Sequence, residues 1–379
     1  MSGRIFLVAA ESSGDALGAD LARVLKQRDP TLELAGVGGA LMAEQGIASQ
    51  ADISGLAVLG FVDGLKAFKR VKAAVAQTVA AILAFKPDAV VLIDSWGFTL
   101  RVAQGVRAAD PNIKLVKYIG PQVWATRPGR AKTLAATVDH LICIHDFEVP
   151  FYEPYGLACT VCGHPALGRY KPGDAAVFRA RHAFTPAEKI VLVLPGSRTS
   201  EIRRVGPALW QAVDLLDRDR DIRIVTIPAN SVRDQALAQA PAGVLVVDES
   251  EKEDAFAAAT VALAASGTVT TEVALQRTPL VIAYKLGWLT WAIARAFLFK
   301  STYATLMNVA ANKEVAPEFI QTCMTPENIA AAAAPLLDDP TAREAQVAAQ
   351  DEALAKMGRG GRPAAEIAAD AVLSVIGKQ

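Results

Sequence analysis

The sequence lacks long apolar runs, lacks an excess of either charge and contains little cysteine or histidine. Its 379 residues include 39 Lys+Arg and 39 Asp+Glu, so no overall basic field favours nucleic acid as a partner. No run of 18 apolar residues occurs, whereas a membrane-spanning helix needs about 20. The apolar run near the N-terminus is too short, and wrongly flanked, for a signal peptide. These absences predict a globular protein of the cytoplasm.

Cysteine and histidine number four each, which leaves little material for a metal site. Cys159 and Cys162 have the spacing of a zinc half-site or a redox pair. A zinc site needs a second ligand pair, and Cys143 with His145 is the only nearby candidate. We therefore favour reduced structural thiols. His164 has no partner at metal-binding spacing and is interpreted as a structural imidazole, so no metal is predicted.

What the chain does contain is a repeated alternation of apolar strands and helices. Continuous apolar runs are typical of strands covered on both faces, as in a parallel sheet. The predicted strands are Ile5–Ala9, Ala89–Ile93, Lys114–Ile119 and His140–Ile144, then Ile190–Leu194, Ile222–Ile227, Val244–Val247, Val261–Ala264 and Leu280–Ala283. The pattern predicts an α/β protein with two Rossmann-like domains in series and a cleft between them for two substrates.

The domain boundaries are predicted from where this alternation stops and restarts. The first domain covers 1–165, and a short helix is predicted within it at Phe147–Tyr155. Residues 166–188 carry Gly, Pro and charges without periodicity, so they are predicted to be an irregular linker. The second domain covers 189–350. Alanine-rich helices follow, with a turn at Gly358–Gly361, and the segment 351–379 can pack back on the first domain.

The stretch Lys189–Arg204, KIVLVLPGSRTSEIRR, reads as a strand, a tight turn and a helix. This arrangement places backbone N–H groups and the positive end of a helix at the carboxyl edge of a sheet, which suits a phosphate. Ser197 lies in the turn, and Arg198 adds a guanidinium fork that matches phosphate oxygens. The alternative is an ordinary strand-to-helix turn with a solvated arginine.

A second motif, Ser266-Gly267-Thr268-x-x-x-Glu272, follows the strand Val261–Ala264. Its turn offers backbone N–H groups and hydroxyls to a phosphate at a helix N-terminus. Glu272 lies about one helical turn beyond Thr268 on the same face, where a carboxylate can accept hydrogen bonds from a ribose diol. With Arg198, these residues predict a nucleotide-diphosphate site built without a Walker A or G-x-G-x-x-G motif.

Asp94 terminates the strand Ala89–Ile93 and is a candidate general base, because the carboxyl ends of parallel strands line the ligand crevice. The alternative is a carboxylate that caps the next helix. The loop Glu11–Asp15 follows the first strand at the same edge. We predict a helix over Ala16–Lys26 with Ser13 or Asp15 near its cap. The glycines Gly36–Gly39 are predicted to form a tight turn after a strand at Leu32–Ala35.

Basic and apolar surfaces are predicted in three places. A helix over Gly64–Lys86 carries a cluster of basic residues near its start, at Lys66, Lys69, Arg70 and Lys72. That cluster is either a solvated face or a contact for anionic lipid headgroups. Gly287–Phe299 contains Trp288 and Trp291 between cations, and is either an interfacial helix or a packing helix. A second basic cluster follows the strand at Lys114–Ile119, at Arg127, Arg130 and Lys132.

Taken in order, the motifs resemble those of the lipid-A-disaccharide synthase family, and the resemblance runs nearly end to end. They are ESSGD at Glu11–Asp15, GVGG at Gly36–Gly39, LAVLGFVDGL at Leu56–Leu65, LID at Leu92–Asp94, GPQVWATR at Gly120–Arg127, GHP at Gly163–Pro165, LPGSR at Leu194–Arg198, SGTxxxE at Ser266–Glu272, Asn308, and PEFIQ at Pro317–Gln321. No single motif is decisive, but this order and spacing are highly specific.

The resemblance implies an inverting glycosyltransferase of GT-B architecture. It implies UDP-2,3-diacylglucosamine as donor and 2,3-diacylglucosamine 1-phosphate as acceptor, giving a β(1→6)-linked disaccharide 1-phosphate and UDP in lipid A biosynthesis. It also implies no metal or other cofactor, a peripheral location on the cytoplasmic face of the inner membrane, and a capacity to form a homodimer.

The resemblance also assigns roles residue by residue. Asp94 matches the family's essential aspartate and is predicted to take the proton from the acceptor's 6-hydroxyl. Arg198 matches its essential arginine and is predicted to stabilise the leaving diphosphate. The other predicted donor contacts are Ser197, Ser266, Gly267, Thr268, Glu272, Asn308 and Gln321, and the predicted acceptor contacts are Glu11, Ser12, Ser13 and Asp15.

The sequence departs from the family pattern next to Asp94. The family usually reads Ser/Ala-Pro-Asp-Phe there, whereas this chain has Ser95-Trp96-Gly97-Phe98, so Asp94 is left as the lone acid. Two other functions stay open. One is another UDP-sugar enzyme of the same architecture, such as a UDP-N-acetylglucosamine transferase or 2-epimerase. The other is a non-catalytic nucleotide-sugar binder at a membrane surface.

Overall fold

A computed structural model describes residues 3–53, 64–287 and 303–378. The chain forms two compact units, 1–168 with 360–379 and 169–359. Each unit contains a six-stranded sheet in which every pairing is parallel. The predicted α/β class and the two Rossmann-like units are confirmed. Most of the LAVLGFVDGL motif, and both Trp288 and Trp291, lie outside the described residues.

The strands of unit 1 are β1 (Arg4–Ala9), β2 (Glu33–Val37), β3 (Ala89–Ile93), β4 (Lys114–Tyr118), β5 (His140–Cys143) and β6 (Ala158–Val161). They lie in the order β2-β1-β3-β4-β5-β6. Its helices are α1 (Ser12–Arg28), α2 (Ala40–Glu44), α3 (Gly64–Phe85), α4 (Trp96–Ala109) and α5 (Arg130–Ala135). Because β1 and β3 are neighbours, the loops that follow them meet at one edge of the sheet.

The strands of unit 2 are β7 (Lys189–Leu194), β8 (Ile222–Thr226), β9 (Leu245–Val246), β10 (Val261–Ala265), β11 (Leu280–Tyr284) and β12 (Glu318–Ile320), in the order β12-β11-β10-β7-β8-β9. Its helices are α6 (Ala175–Arg181), α7 (Thr199–Asp217), α8 (Arg233–Leu237), α9 (Lys252–Ala258), α10 (Thr268–Leu275), α11 (Leu306–Ala311), α12 (Pro326–Asp338) and α13 (Pro340–Lys356). Since β7 and β10 are paired, the Pro-Gly-Ser and Ser-Gly-Thr turns leave the same edge.

Both sheets carry apolar side chains on their two faces, as the continuous apolar runs predicted. Val90, Leu92 and Leu115 pack under α3 and α4 in one layer of unit 1. Ile5, Leu7 and Val91 face the other layer. That second layer is completed by the last helix, α14 (Ala364–Val375), whose buried side chains join the core of unit 1.

Several local predictions were wrong. Helix α1 begins at Ser12 after Glu11, so neither Ser13 nor Asp15 is its cap. Strand β2 runs through Gly36 to Val37, so the predicted turn begins later. A Cβ on Gly36 would lie 2.5 Å from the carbonyl oxygen of Leu7, which explains the glycine inside a strand.

Three further corrections concern short elements. The helix predicted at Phe147–Tyr155 is two 3₁₀ segments, Asp146–Phe151 and Glu153–Tyr155, and prolines inside each limit helical hydrogen bonding. The stretch 166–188, predicted to be irregular, contains α6, which Asp174 caps through the N–H groups of Ala176 and Val177. Strands β6 and β12 were not predicted, because neither carries a continuous apolar run.

Candidate functional site

The nucleotide motifs of unit 2 converge on one cavity of about 360 Å³ that is open to solvent. Six residues predicted to bind the donor line it: Ser197, Arg198, Ser266, Gly267, Thr268 and Glu272. Residues with no predicted role also line it, among them Glu201, Glu249 and Lys252. The sequence therefore identified one wall of the cavity through its two motifs.

The backbone N–H groups of the Pro-Gly-Ser turn are already hydrogen-bonded to the carboxylate of Glu201. Its Oε2 accepts hydrogen bonds from the N–H groups of Ser197 at 2.9 Å and Arg198 at 3.3 Å. Its Oε1 accepts one from Nη1 of Arg198 at 2.8 Å. The sequence prediction had taken these N–H groups as ready for a phosphate, but here a carboxylate binds them. The signal for Glu201 was its place at the third position of a helix, where Glu commonly bonds back to the cap.

The turn at Gly196 explains how Glu201 comes so close. Gly196 has φ +121°, a conformation that side chains disfavour. A Cβ at this position would lie 2.5 Å from the Cβ of Glu201. The Arg198 side chain is 77% exposed, so the rest of its guanidinium fork remains open to a ligand. The turn thus presents an arginine to the cavity rather than bare backbone donors.

The Ser-Gly-Thr turn offers the uncapped helix end. Gly267 is the N-cap of α10 and has extended backbone, and no side chain caps that helix. The hydroxyl of Thr270 is used within the helix start, because its Oγ1 donates a hydrogen bond to the backbone carbonyl of Gly267 at 2.7 Å. The first N–H groups of a helix have no partner within it and carry positive partial charge. The start of α10 is therefore the better anion site of the two turns.

Glu272 lies one turn along α10 and is paired with a lysine. Its Oε2 is 3.2 Å from Nζ of Lys252, and both side chains are about one-third exposed. On the same side, Asn230 Nδ2 donates to Glu249 Oε2 at 2.9 Å. The cavity thus holds a carboxylate with free acceptor capacity beside a cation, a combination that suits both the hydroxyls and the charge of a nucleotide.

Asn308 and Gln321 do not line this cavity. Asn308 is fully buried, where its Oδ1 accepts from the N–H groups of Val315 and Ala316 and its Nδ2 donates to the carbonyl of Ala316. These bonds hold the loop after α11. Gln321 has φ +57° and is 9% exposed, and its Nε2 has no hydrogen-bond partner among the described residues.

In unit 1 the predicted base lies among residues of the first loop. Asp94 follows β3, and its Oδ2 is 3.3 Å from the hydroxyl of Ser13. The hydroxyl of the next residue, Ser95, donates to Glu11 Oε1 at 3.0 Å. Ser95, rather than Asp94, is the N-cap of α4. The carboxylate of Asp94 is therefore not used as a helix cap and is partly exposed at the carboxyl edge of the sheet.

Asp15 is separated from this group by its own bonds. It is 6% exposed, and its carboxylate accepts hydrogen bonds from Gly39, Leu41 and Met42 at 2.7, 2.9 and 3.1 Å. It thereby caps α2 and ties the first loop to the Gly36–Gly39 segment. Ser12 is exposed at the start of α1.

Asp15→Ala is expected to lower the free energy of unfolding by about 1–3 kcal/mol, because three backbone donors lose their acceptor. Urea unfolding of the purified variant measures this. Asp20→Ala, on the exposed side of the same helix, is the matched control and should change stability by less than about 0.5 kcal/mol. A stable Asp15→Ala variant would contradict this structural role.

Arg130 lies beside the helix that follows Asp94, and Arg127 lies close to Arg130. The guanidinium of Arg130 lies over the ring of Trp96, 5.3 Å from its centroid. Partial burial and the neighbouring Arg127 both lower the pKa of Arg130. In the described part of the chain, no carboxylate forms an ion pair with either arginine. Two cations that repel each other unpaired are a feature expected of an anion site.

The cysteines of unit 1 behave as structural thiols. Burial raises the pKa of Cys159 to about 11 and of Cys162 to about 12, and it also raises the pKa of Cys143. Thiols with such pKa values are poor nucleophiles at neutral pH. His164 is held by its Nδ1, which accepts the N–H of Ala166, and burial lowers its pKa to about 4.

The basic start of α3 lies on the protein surface where the side chains are described. Lys69, Arg70 and Lys72 are exposed. No helix in the described ranges is long and apolar enough to cross a membrane.

Comparison with known proteins decides the family. A family model described as lipid-A-disaccharide synthetase matches residues 5–372. The chain belongs to the lipid-A-disaccharide synthetase family. Two relatives illustrate the match. The lipid-A-disaccharide synthase of Rhodospirillum centenum is 39% identical and aligns over 99% of this chain and 95% of that protein. The enzyme of that name from Paramagnetospirillum magneticum is 40% identical over 98% and 97%.

Two solved structures illustrate the fold that this family member shares. UDP-GlcNAc 2-epimerase from Neisseria meningitidis, bound to UDP-GlcNAc, has a TM-score of 0.64 at 12% identity, covering 99% of this chain and 100% of that one. Acinetobacter baumannii MurG has a TM-score of 0.58 at 16% identity and covers 100% of both chains. At these identities the likeness shows the fold alone. The resemblance predicted from the ordered motifs is confirmed at the level of the family.

Proposed function

We propose that this chain is the glycosyltransferase that condenses UDP-2,3-diacylglucosamine with 2,3-diacylglucosamine 1-phosphate in lipid A biosynthesis. The observation that carries the proposal is family membership over residues 5–372 together with the cavity that gathers six predicted donor residues. The products are the β(1→6) disaccharide 1-phosphate and UDP.

The donor end of the reaction needs charge stabilisation on the diphosphate. The uncapped start of α10 and the guanidinium of Arg198 both face the cavity, and Lys252 lies on its wall. Preorganised donors and cations of this kind stabilise the charge that develops on a leaving group. Glu272 would accept hydrogen bonds from the ribose hydroxyls, with Lys252 holding its other side.

The acceptor end needs one base. In an inverting displacement the acceptor's 6-oxygen attacks the anomeric carbon as its proton passes to a carboxylate, here Asp94. The new C–O bond forms as the bond to the diphosphate breaks, and UDP leaves with the electron pair. Ser13 stands within hydrogen-bond reach of Asp94 and would hold the carboxylate in place. We assign acceptor contacts to Glu11 and Ser12 on the same loop.

The acceptor's phosphate has a candidate site in the unpaired Arg127 and Arg130. Trp96, which contacts Arg130, is two residues from Asp94, so the arginine pair and the base lie close together. In the acceptor sugar, the carbon that bears the phosphate and the carbon that bears the 6-hydroxymethyl group both flank the ring oxygen, so the phosphate site must lie near the base. Guanidinium forks bind phosphate oxygens bidentately, which favours this pair as the phosphate site.

Arg127→Ala and Arg130→Ala are each expected to raise the acceptor KM roughly 10-fold or more, because a charge-assisted bond is lost. The KM of the donor should not change. A dephosphorylated acceptor should react equally with parent and variants, which isolates the phosphate contact. Lys132→Ala, on the same exposed surface, is the control. If the variants weaken both acceptors alike, the arginines do not bind the phosphate.

The reaction itself is tested with purified protein and both diacylated substrates. Mass spectrometry should detect the disaccharide 1-phosphate, and UDP should form in equal amount. The assay is run with and without a chelator, because independence from metal is still a prediction. Incubation with UDP-N-acetylglucosamine alone tests the epimerase alternative. Failure to form disaccharide, or epimerisation of that nucleotide sugar, contradicts the proposal.

We also propose that the protein works at the cytoplasmic face of the inner membrane, because both substrates carry acyl chains. The exposed cations Lys69, Arg70 and Lys72 on α3 would contact anionic headgroups, each worth about 1 kcal/mol near the surface. Sedimentation with vesicles that contain anionic lipid should show binding that weakens with salt. A homodimer stays a prediction.

A further inference from the structure

Lys117 is a lysine inside the apolar core of unit 1. It is 2% exposed and lies in the middle of the sheet, with Leu92 on β3 and Leu141 on β5 opposite it. Its side chain borders a small gap lined mostly by apolar side chains, among them Leu92, Trp96, Ala103, Leu134 and Val138. Burying an amine among such groups is unfavourable unless the amine is well bonded. Packing alone therefore does not explain why a lysine occupies this position.

The amine of Lys117 is bonded to the turn that carries Asp94. Its Nζ donates to the backbone carbonyl of Asp94 and, at 2.9 Å, to the hydroxyl of Thr99. The Thr99 hydroxyl is in turn 2.9 Å from the Asp94 carbonyl and 3.0 Å from that of Ser95. Both carbonyls of the turn are therefore held from inside the core.

That turn has an unfavourable backbone. Asp94 has φ +47° and Ser95 has φ +39°, and neither is glycine. Left-handed conformations cost about 1–2 kcal/mol per non-glycine residue and persist only where surrounding contacts enforce them. The N–H of Asp94 is fixed by the carbonyl of Tyr118 at 2.9 Å. On the carbonyl side, the hydrogen bonds from Lys117 and Thr99 hold the turn in its left-handed conformation.

We propose that Lys117 is a positioning residue, whose buried amine clamps the Asp94 carbonyl and so keeps the left-handed turn that presents the Asp94 carboxylate beside Ser13. The proposal rests on the proposed function, because it needs Asp94 to be the base. Burial lowers the pKa of Lys117 to about 7, opposed by the charge of Asp94, and the amine donates hydrogen bonds in either protonation state.

Lys117→Met tests the clamp without leaving a hole, since methionine is unbranched and adapts to apolar space. We expect kcat to fall about 10- to 100-fold, the order of loss seen when a reacting group is displaced by about 1 Å. The KM values of both substrates and the Kd of UDP should stay within about 2-fold of the parent, since no contact with either ligand is removed. The melting temperature should hold or rise, because the buried amine is gone.

The matched control is Lys114→Met, an exposed lysine at the start of the same strand, which should leave kcat unchanged. A second variant tests the cause. Glycine adopts left-handed backbone freely, so adding Ser95→Gly to Lys117→Met should restore part of kcat if the clamp acts on the turn. No restoration by Ser95→Gly would overturn the proposed cause.

A folded Lys117→Met protein with the parent's kcat overturns the proposal, and so does a loss of kcat that follows a loss of stability. If Lys117→Met does not fold, Lys117→Leu replaces it, because it also removes the amine that bonds the Asp94 carbonyl and matches Leu92 and Leu141, which lie opposite in the sheet. An unchanged kcat in Lys117→Leu then overturns the clamp. Parent protein that forms no disaccharide contradicts the proposed function instead, so the two failures are distinguishable.

Discussion

Asp94→Asn is expected to lower kcat for disaccharide formation at least about 100-fold, because the amide keeps the shape of the side chain but cannot accept the proton. The Ser13 hydroxyl lies 3.3 Å from Oδ2, so the local bonding can survive the change. Steady-state rates at saturating donor and acceptor measure the effect.

UDP affinity is the internal check on this variant. The nucleotide cavity is lined by residues of unit 2, so calorimetric titration of UDP into Asp94→Asn should give the parent's Kd. Glu33→Gln, a surface carboxylate at the start of β2, is the matched control for kcat. If Asp94→Asn turns over within 10-fold of the parent, another group removes the proton. If the protein is instead a non-catalytic binder, the parent itself will show no turnover.

Arg198→Ala should lower kcat/KM for the donor by roughly 10²- to 10³-fold, the loss typical of one removed donor to a developing oxyanion. Its guanidinium faces the cavity and is largely exposed, and among the residues that the structure describes only Glu201 bonds to it. Removing it takes away positive charge and also frees Glu201, whose negative charge would then oppose the diphosphate. UDP binding should weaken together with the rate.

Two further variants separate charge from shape at Arg198. Arg198→Lys keeps the charge but loses the planar fork, so its rate should fall between the parent and Arg198→Ala. Arg203→Ala, exposed one turn further along α7, is the control and should behave like the parent. Parent-like donor kinetics and UDP affinity in Arg198→Ala would remove the arginine from the donor site.

The sequence predicted the strands that are buried on both faces and missed the edge strands β6 and β12. The run Ala89–Ile93 was predicted with its observed bounds, and all its residues are buried. Strand β6 lies at the edge of its sheet, has partly exposed side chains and carries no apolar run. A pattern of hydrophobicity reports burial, so an edge strand held mainly by backbone bonds leaves little trace.

The sequence brought some of the candidate site residues together in the fold, but it did not predict what they bond to. Chain order and parallel topology were enough to bring Asp94 to the first loop and Arg198 to the Ser-Gly-Thr turn. The hydrogen-bond partners of each side chain depend on distances in the folded protein that the sequence does not specify. The side-chain oxygens of Asp15 and Asn308 accept hydrogen bonds from backbone N–H groups. Glu201 accepts hydrogen bonds from the backbone N–H groups that were predicted to bind a phosphate. Lys117 has no sequence signal beyond being a lysine within an apolar strand.

The place of helix α14 in the sequence, after the whole of unit 2, affects how unit 1 folds during synthesis. Ala368, Ala369 and Val372 are fully buried against the sheet of unit 1, yet they are encoded almost at the end of the chain. Domains generally fold as they leave the ribosome, N-terminal part first. Here the first sheet emerges early, but the part of its apolar layer that α14 covers stays exposed until the whole of unit 2 has been translated. During synthesis that exposed layer is where we expect chaperones to bind.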